Sequence, residues 1–142
     1  MSEKIVGYTT GVFDLFHIGH LNILKKAKQE CDYLIVGVTT DEEVERVKNK
    51  KPIIPYEERV EIVKAIRYVD EVIPETDTDK LKAAEVISFD RIFKGDDWKG
   101  TPKWNMYEEE FKKKDIEVVY FSYTKGTSST HLRKVLQQFL NS

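Results

Sequence analysis

The sequence predicts an α/β domain, a single Rossmann-like, doubly wound sheet of five parallel strands. Two observations lead there. Short runs rich in Val, Ile and Tyr alternate along the chain with longer segments whose apolar residues recur at the helical period. The short runs are also almost continuously apolar, as strands covered on both faces are. A length of 142 residues suits one domain spanning residues 1–142.

The first run is residues 5–9, and Leu21, Leu24, Ala27 and Lys28 on successive turns predict a helix after it. A second strand is expected at 33–38. Val60, Val63, Ala65, Ile66 and Val69 then outline a helix with Pro55 near its start, where a missing N–H costs nothing. Weaker runs at 71–73 and 91–93 give the third and fourth strands, and 118–121 the fifth. Between the last two, the aromatic segment 101–107 reads as a helix start that packs Trp104 and Tyr107 on the sheet; its other reading is part of a substrate pocket. Leu132, Val135, Leu136, Phe139 and Leu140 form the stripe of a C-terminal helix, with Ser128, Ser129 and Thr130 as capping residues. Strand–helix alternation of this kind winds a parallel sheet, and ligands then lie beyond the carboxyl ends of its strands.

Composition narrows the function. Twenty-three Lys and Arg stand against 25 Asp and Glu, for a net charge of -2. No whole-protein field is available to hold a nucleic acid, whose binding scales with phosphates neutralised. Any anion must therefore meet a local cluster of positive charge. The single cysteine, Cys31, excludes an intramolecular disulfide and fits a reducing compartment. No signal-peptide pattern opens the sequence and no apolar run has the length of a membrane span, so a cytoplasmic protein without membrane insertion is expected.

The chemistry gathers where strands end. After the first comes Gly11-Val12-Phe13-Asp14-Leu15-Phe16-His17-Ile18-Gly19-His20. It is not the dinucleotide-binding glycine pattern. It places two imidazoles three residues apart, on one face of a helix that begins near Ile18. Free N–H groups and the helix dipole favour an anion there, and Gly19 lets a phosphate approach the backbone. Two other readings stand beside this: a histidine pair hydrogen-bonded in the core, and a metal site with Asp14 as third ligand. Downstream, Arg46, Lys48, Lys50 and Lys51 form a basic loop, either solvated or holding anions. Arg59 reads as a surface arginine. Asp96-Asp97 by itself suits a strand-to-loop turn.

The H-x-G-H arrangement after a first strand resembles the nucleotidylyltransferase superfamily, and the Phe13-Asp14 pair ahead of it resembles its cytidylyltransferase branch. Three further segments are similar to that branch: Arg67-Tyr68-Val69-Asp70-Glu71-Val72, Lys94-Gly95-Asp96-Asp97-Trp98 (its G-D-D-W segment), and Tyr123-Thr124-Lys125-Gly126-Thr127-Ser128-Ser129-Thr130. The resemblance runs almost end to end, and within the branch it is to the glycerol-3-phosphate cytidylyltransferases.

The resemblance implies transfer of CMP from CTP to a small phosphorylated alcohol, first of all glycerol 3-phosphate, with release of pyrophosphate. It implies Mg²⁺ on the CTP triphosphate and a homodimer. His17, His20 and Lys48 take the catalytic positions. Val12, Phe13, Asp14, Gly19, Lys50, Arg67, Asp97 and Trp98 match the nucleotide-binding positions, together with Tyr123, Thr124, Gly126, Ser128, Ser129 and Thr130. Lys48, Lys80 and Lys82 match the acceptor side, and Arg67 is also expected in the dimer contact. Two positions depart from the family: Tyr123 stands where it has arginine, and Val12 where the nearest branch has threonine. Losing a guanidinium is not conservative, and Lys125 is the nearby replacement for its charge. The alternatives are an adenylyltransferase of the same fold, a nucleotide-binding module without turnover, and a hydrolase using Asp14, His17 and His20 on a transition metal.

Overall fold

The computed structural model describes residues 4–122 and 129–141. Five strands, β1 (Val6–Gly11), β2 (Tyr33–Thr39), β3 (Glu71–Glu75), β4 (Arg91–Gly95) and β5 (Glu117–Phe121), form one sheet in the order β3-β2-β1-β4-β5. Every pairing is parallel, as the sequence predicts. The helices are α1 (Ile18–Gln29), α2 (Asp41–Lys48), α3 (Tyr56–Lys64), α4 (Lys80–Val86), α5 (Pro102–Lys112) and α6 (Ser129–Asn141), with a single 3₁₀ turn at Asp96–Trp98.

The period of two along the strands divides the core. Leu34, Val36 and Val38 of β2 and Phe93 of β4 face Leu24, Ala27 and Val63 of α1 and α3. Ile35 and Ile92 face the other way, with Trp104, Tyr107 and Phe111 of α5. Trp104 and Tyr107 are each 2% exposed, so the aromatic segment packs on the sheet.

Local differences from the sequence reading have physical causes. Helix α3 stops at Lys64 with Pro55 as its N-cap residue, yet Ile66 and Val69 still pack on the core from the turn beyond. Their apolar period therefore outlasts the helix. Helices α2 and α4 are only eight and seven residues long, too short for a strong period, and are held by the side-chain caps of Thr40 and Asp79. Arg46 and Lys48 thus lie on α2 rather than in a loop. Strand β3 runs through Pro74, which an edge strand tolerates. Ser129 and Thr130 lie within α6 rather than ahead of it.

The largest correction concerns Arg59. Its side chain is fully buried rather than a surface group. Nη1 donates to the carbonyls of Val12 at 2.7 Å and Thr39 at 2.8 Å, Nε donates to that of Ile54 at 2.9 Å, and Nη2 pairs with Asp41 at 2.6 Å. One planar fork therefore ties the exits of β1 and β2 to the start of α2 and the turn before α3. Replacing Arg59→Leu strands several buried acceptors and is expected to lower the unfolding free energy by about 3 kcal/mol in urea titrations. A loss below about 0.5 kcal/mol, the size ordinary for a surface site, would contradict the clamp.

Candidate active site

Strands β1 and β4 are neighbours, but their connections leave in opposite directions, to β2 and to β5. Such a switch point opens a crevice at the carboxyl edge. A cleft of about 370 Å³ lies there.

The chain leaves β1 through a tight path. Phe13 (φ 55°) and Leu15 (φ 51°) both adopt left-handed backbone without being glycine, a strain the surroundings must hold. The Phe13 ring folds back beneath Gly11, where a Cβ would come within 3.0 Å of it. Asp14, 4% exposed, accepts from the Ile53 and Ile54 amides, both at 2.8 Å, and from Arg133 Nη2 at 2.7 Å. These contacts pin the 12–17 loop to the segment before α3 and to α6.

His17 is the N-cap of α1. Its Nδ1 accepts from the Gly19 amide at 3.0 Å, and His20 Nδ1 accepts from the His17 amide at 3.3 Å. This is a capping box made by two imidazoles. The rings stack with centroids 3.9 Å apart. Because each Nδ1 is an acceptor, each neutral ring carries its proton on Nε2 and offers it as a donor. Burial lowers the pKa of His17. Burial first, and then His17, push His20 down to about 4 against the opposing pull of Asp14. The pair is therefore neutral at pH 7 and presents two N–H donors beside the α1 N-terminus.

Around it, Lys48, Lys50, Lys94 and Arg133 line the cleft, against the carboxylates of Asp14 and Asp97. Four cations over two anions give a local positive excess in a protein of net charge -2. Lys48 ends α2, and Asn49 in the left-handed conformation (φ 56°) turns the chain so that Lys50 also lines the cleft. Much of the Lys48 side chain is exposed, yet its pKa is lowered, by burial first and then by Lys50 and Arg133. Past β4, a Cβ on Gly95 would meet Asp97 Oδ1 at 2.7 Å, so glycine lets that carboxylate fold over the strand end.

The cleft thus gathers His17, His20, Lys48, Lys50, Asp97 and Trp98, and also Val12, Phe13, Asp14, Gly19 and Thr130. Three expected residues are not among its lining. Arg67 is exposed ahead of β3, at the amino edge of the sheet, and donates to the Tyr68 hydroxyl at 3.0 Å. Lys80 is buried and pairs with Glu75 at 2.6 Å, while Lys82 pairs with Asp77 at 2.9 Å on the surface. Tyr123, Thr124, Gly126 and Ser128 lie outside the described residues, and Ser129 is the first residue of α6. Sequence reasoning missed Arg133 and Lys94. Arg133 falls in the first turns of a helix that follows a hydroxyl-rich segment, and Lys94 is a lone charge at the end of an apolar strand.

Among the described residues, no group of three or more His, Cys, Asp or Glu side chains is placed to hold a metal. The Asp14 oxygens accept from amides and Arg133, and both histidine Nδ1 atoms from amides. That arrangement suits a phosphate-binding cradle better than an Asp14–His17–His20 metal centre.

Residues 8–135 match the model of the Cytidylyltransferase-like family. The chain belongs to that family. It is 41% identical over 134 residues to the glycerol-3-phosphate cytidylyltransferase of Bacillus subtilis (strain 168), covering 93% of this chain and 95% of that protein. An FAD synthase of Thermococcus sibiricus is 36% identical over 141 residues, covering 97% and 94%. Among solved structures, the lipopolysaccharide core biosynthesis protein of Thermoplasma volcanium superposes with a TM-score of 0.71 at 29% identity, covering 88% of this chain and all of that one.

Ring tautomers can be read directly. Nitrogen-detected NMR at pH 7 is expected to find His17 and His20 neutral and protonated on Nε2, with His20 titrating near 4. A His20 titration at or above its ordinary 6.5 would contradict this electrostatic picture.

Proposed function

We propose that this chain transfers CMP from CTP to a small phosphorylated alcohol, with glycerol 3-phosphate the first candidate, and releases pyrophosphate. The observation that carries this reading is the neutral histidine pair. Two Nε2–H donors stand at a helix N-terminus inside a cleft with excess positive charge. Identity to the glycerol-3-phosphate cytidylyltransferases over nearly the whole chain supports the choice of nucleotide and acceptor.

The residues suit in-line phosphoryl chemistry. An anionic phosphate oxygen of the acceptor attacks the α-phosphorus of CTP, and the bond from that phosphorus to the β-bridging oxygen breaks. The nucleophile is already deprotonated, so no general base is needed. Negative charge concentrates on the α-phosphate oxygens. Donors fixed before reaction stabilise it without reorganising, as His17 and His20 are by their backbone hydrogen bonds. Lys48, Lys50 and Arg133 offset the repulsion between two phosphorylated substrates. In this reading Asp97 accepts from the cytosine amine and Trp98 walls the base, which their position in the cleft lining supports.

Mg²⁺ enters with the nucleotide as MgCTP, coordinated by triphosphate oxygens and water. A homodimer is proposed through the exposed Arg67–Tyr68 segment, which stands at the sheet edge opposite the cleft. A cytoplasmic setting fits the single thiol of Cys31. The second reading, adenylyl transfer, has the likeness to the FAD synthases in its favour.

Pyrophosphate release with CTP or ATP, crossed with glycerol 3-phosphate, other polyol phosphates, choline and ethanolamine phosphates and phosphorylated sugars, tests the reading. Turnover with CTP and a phosphorylated alcohol is expected. Turnover with ATP alone would establish the adenylyl reading instead, and CTP binding without turnover would leave a binding module. In the active pair, His17→Ala is expected to cut turnover at least ~10²-fold while CTP binding changes little, since its donor acts mainly in the transition state.

A further inference from the structure

Lys94 is the penultimate residue of β4, just ahead of Gly95. By the strand alternation it shares the face of Ile92 and Trp104, whereas Phe93 faces α1. Its ammonium lies 4.9 Å from the centroid of the Trp98 ring and 5.7 Å from that of Trp104. Among the described residues it has no hydrogen bond or ion pair. The nearby carboxylate Glu75 is already engaged by Lys80 at 2.6 Å and by the Thr39 hydroxyl at 2.7 Å. A cation is thus held half-buried over two indoles, facing the cleft, with no carboxylate neutralising it at contact distance.

The cleft's positive groups lie on two sides of the sheet edge. Arg133 is bonded to Asp14, beside the histidines that head α1. Lys94 lies on the α5 side. Lys48, at the end of α2, lines the same cleft. In-line displacement needs the same separation, with the incoming nucleophile and the leaving pyrophosphate on opposite sides of the α-phosphorus.

We propose that Lys94, backed by Trp98 and Trp104, binds the phosphate of the acceptor substrate. This rests on the transferase reading above and extends it to a residue that adjoins the G-D-D-W segment and has no role in the resemblance. Lys80, which the sequence places on the acceptor side, instead holds Glu75 behind this subsite.

A pH signature follows. Burial first, then Lys80 and Lys48, lower the Lys94 pKa to about 8, against the opposing pull of Glu75 and Asp97. Above that pH the ammonium loses its proton, so acceptor affinity falls as pH rises through about 8. An arginine at this position stays charged throughout.

The chain's only two tryptophans are the two that flank Lys94, so their fluorescence reports on the subsite without requiring turnover. The full-length wild type, Lys94→Met and Lys94→Arg are titrated with inorganic phosphate, with glycerol 3-phosphate and with CTP. Initial rates and thermal unfolding are measured on the same proteins. Lys94→Met is expected to weaken the response to inorganic phosphate and glycerol 3-phosphate at least ~10-fold and to raise the acceptor KM in parallel, with CTP binding and its KM within ~2-fold. Lys94→Arg should keep phosphate binding and lose the decline between pH 7 and 9. A folded Lys94→Met that binds phosphate as the wild type does, or that loses CTP equally, would overturn the assignment. Absence of turnover in the wild type would defeat the transferase reading, and the fluorescence arm would still decide whether Lys94 binds phosphate.

Discussion

The arrangement at the top of the sheet depends on one buried guanidinium. Parallel strands end in carbonyls and loops that must be held where ligand, not protein, is to fill the space. Arg59 holds the carbonyl of Val12 after β1, that of Thr39 at the end of β2 and that of Ile54 before α3, while pairing with Asp41. Asp14 makes a complementary tie with the Ile53 and Ile54 amides and Arg133. Together the two charged groups fix a loop whose backbone is strained at Phe13 and Leu15. The histidines that follow are positioned by that loop, so their placement is an outcome of buried electrostatics several residues away.

Within the site, tautomer and charge are set by the backbone. Two main-chain amides occupy both Nδ1 atoms, and burial disfavours protonation. Neutral imidazoles are good donors to a phosphate yet bring no fixed positive charge that would bind the ground state as tightly as the transition state. Fixed charge comes instead from Lys48, Lys50, Lys94 and Arg133 around the rim. Orientation and attraction are thus assigned to different residues.

Much of this was legible in the sequence, for reasons that differ by element. The five strands were visible because burial on both faces makes them apolar without interruption, and the α1 start because a glycine lies between two histidines after the first of them. Helices α2 and α4 were not, because they are too short for periodicity and rely on single caps. Arg59 was misread because a charged residue on a helix normally faces solvent; only the convergence of distant carbonyls shows otherwise. Arg67, Lys80 and Lys82 were placed by motif or spacing alone, and the fold puts Arg67 at the opposite edge of the sheet and both lysines in ion pairs. Lys94 could not be found from sequence, since its meaning lies in two tryptophans brought over it by the 3₁₀ turn and α5.

On the proposed function, the β1–β4 crevice holds a triphosphate against the Nε2 atoms of His17 and His20. A crystal structure of the chain with MgCTP tests it most directly. An α-phosphate oxygen is expected within about 3 Å of both Nε2 atoms, at the N-terminus of α1. A triphosphate bound elsewhere, or rings turned so that Nδ1 faces the nucleotide, would contradict it.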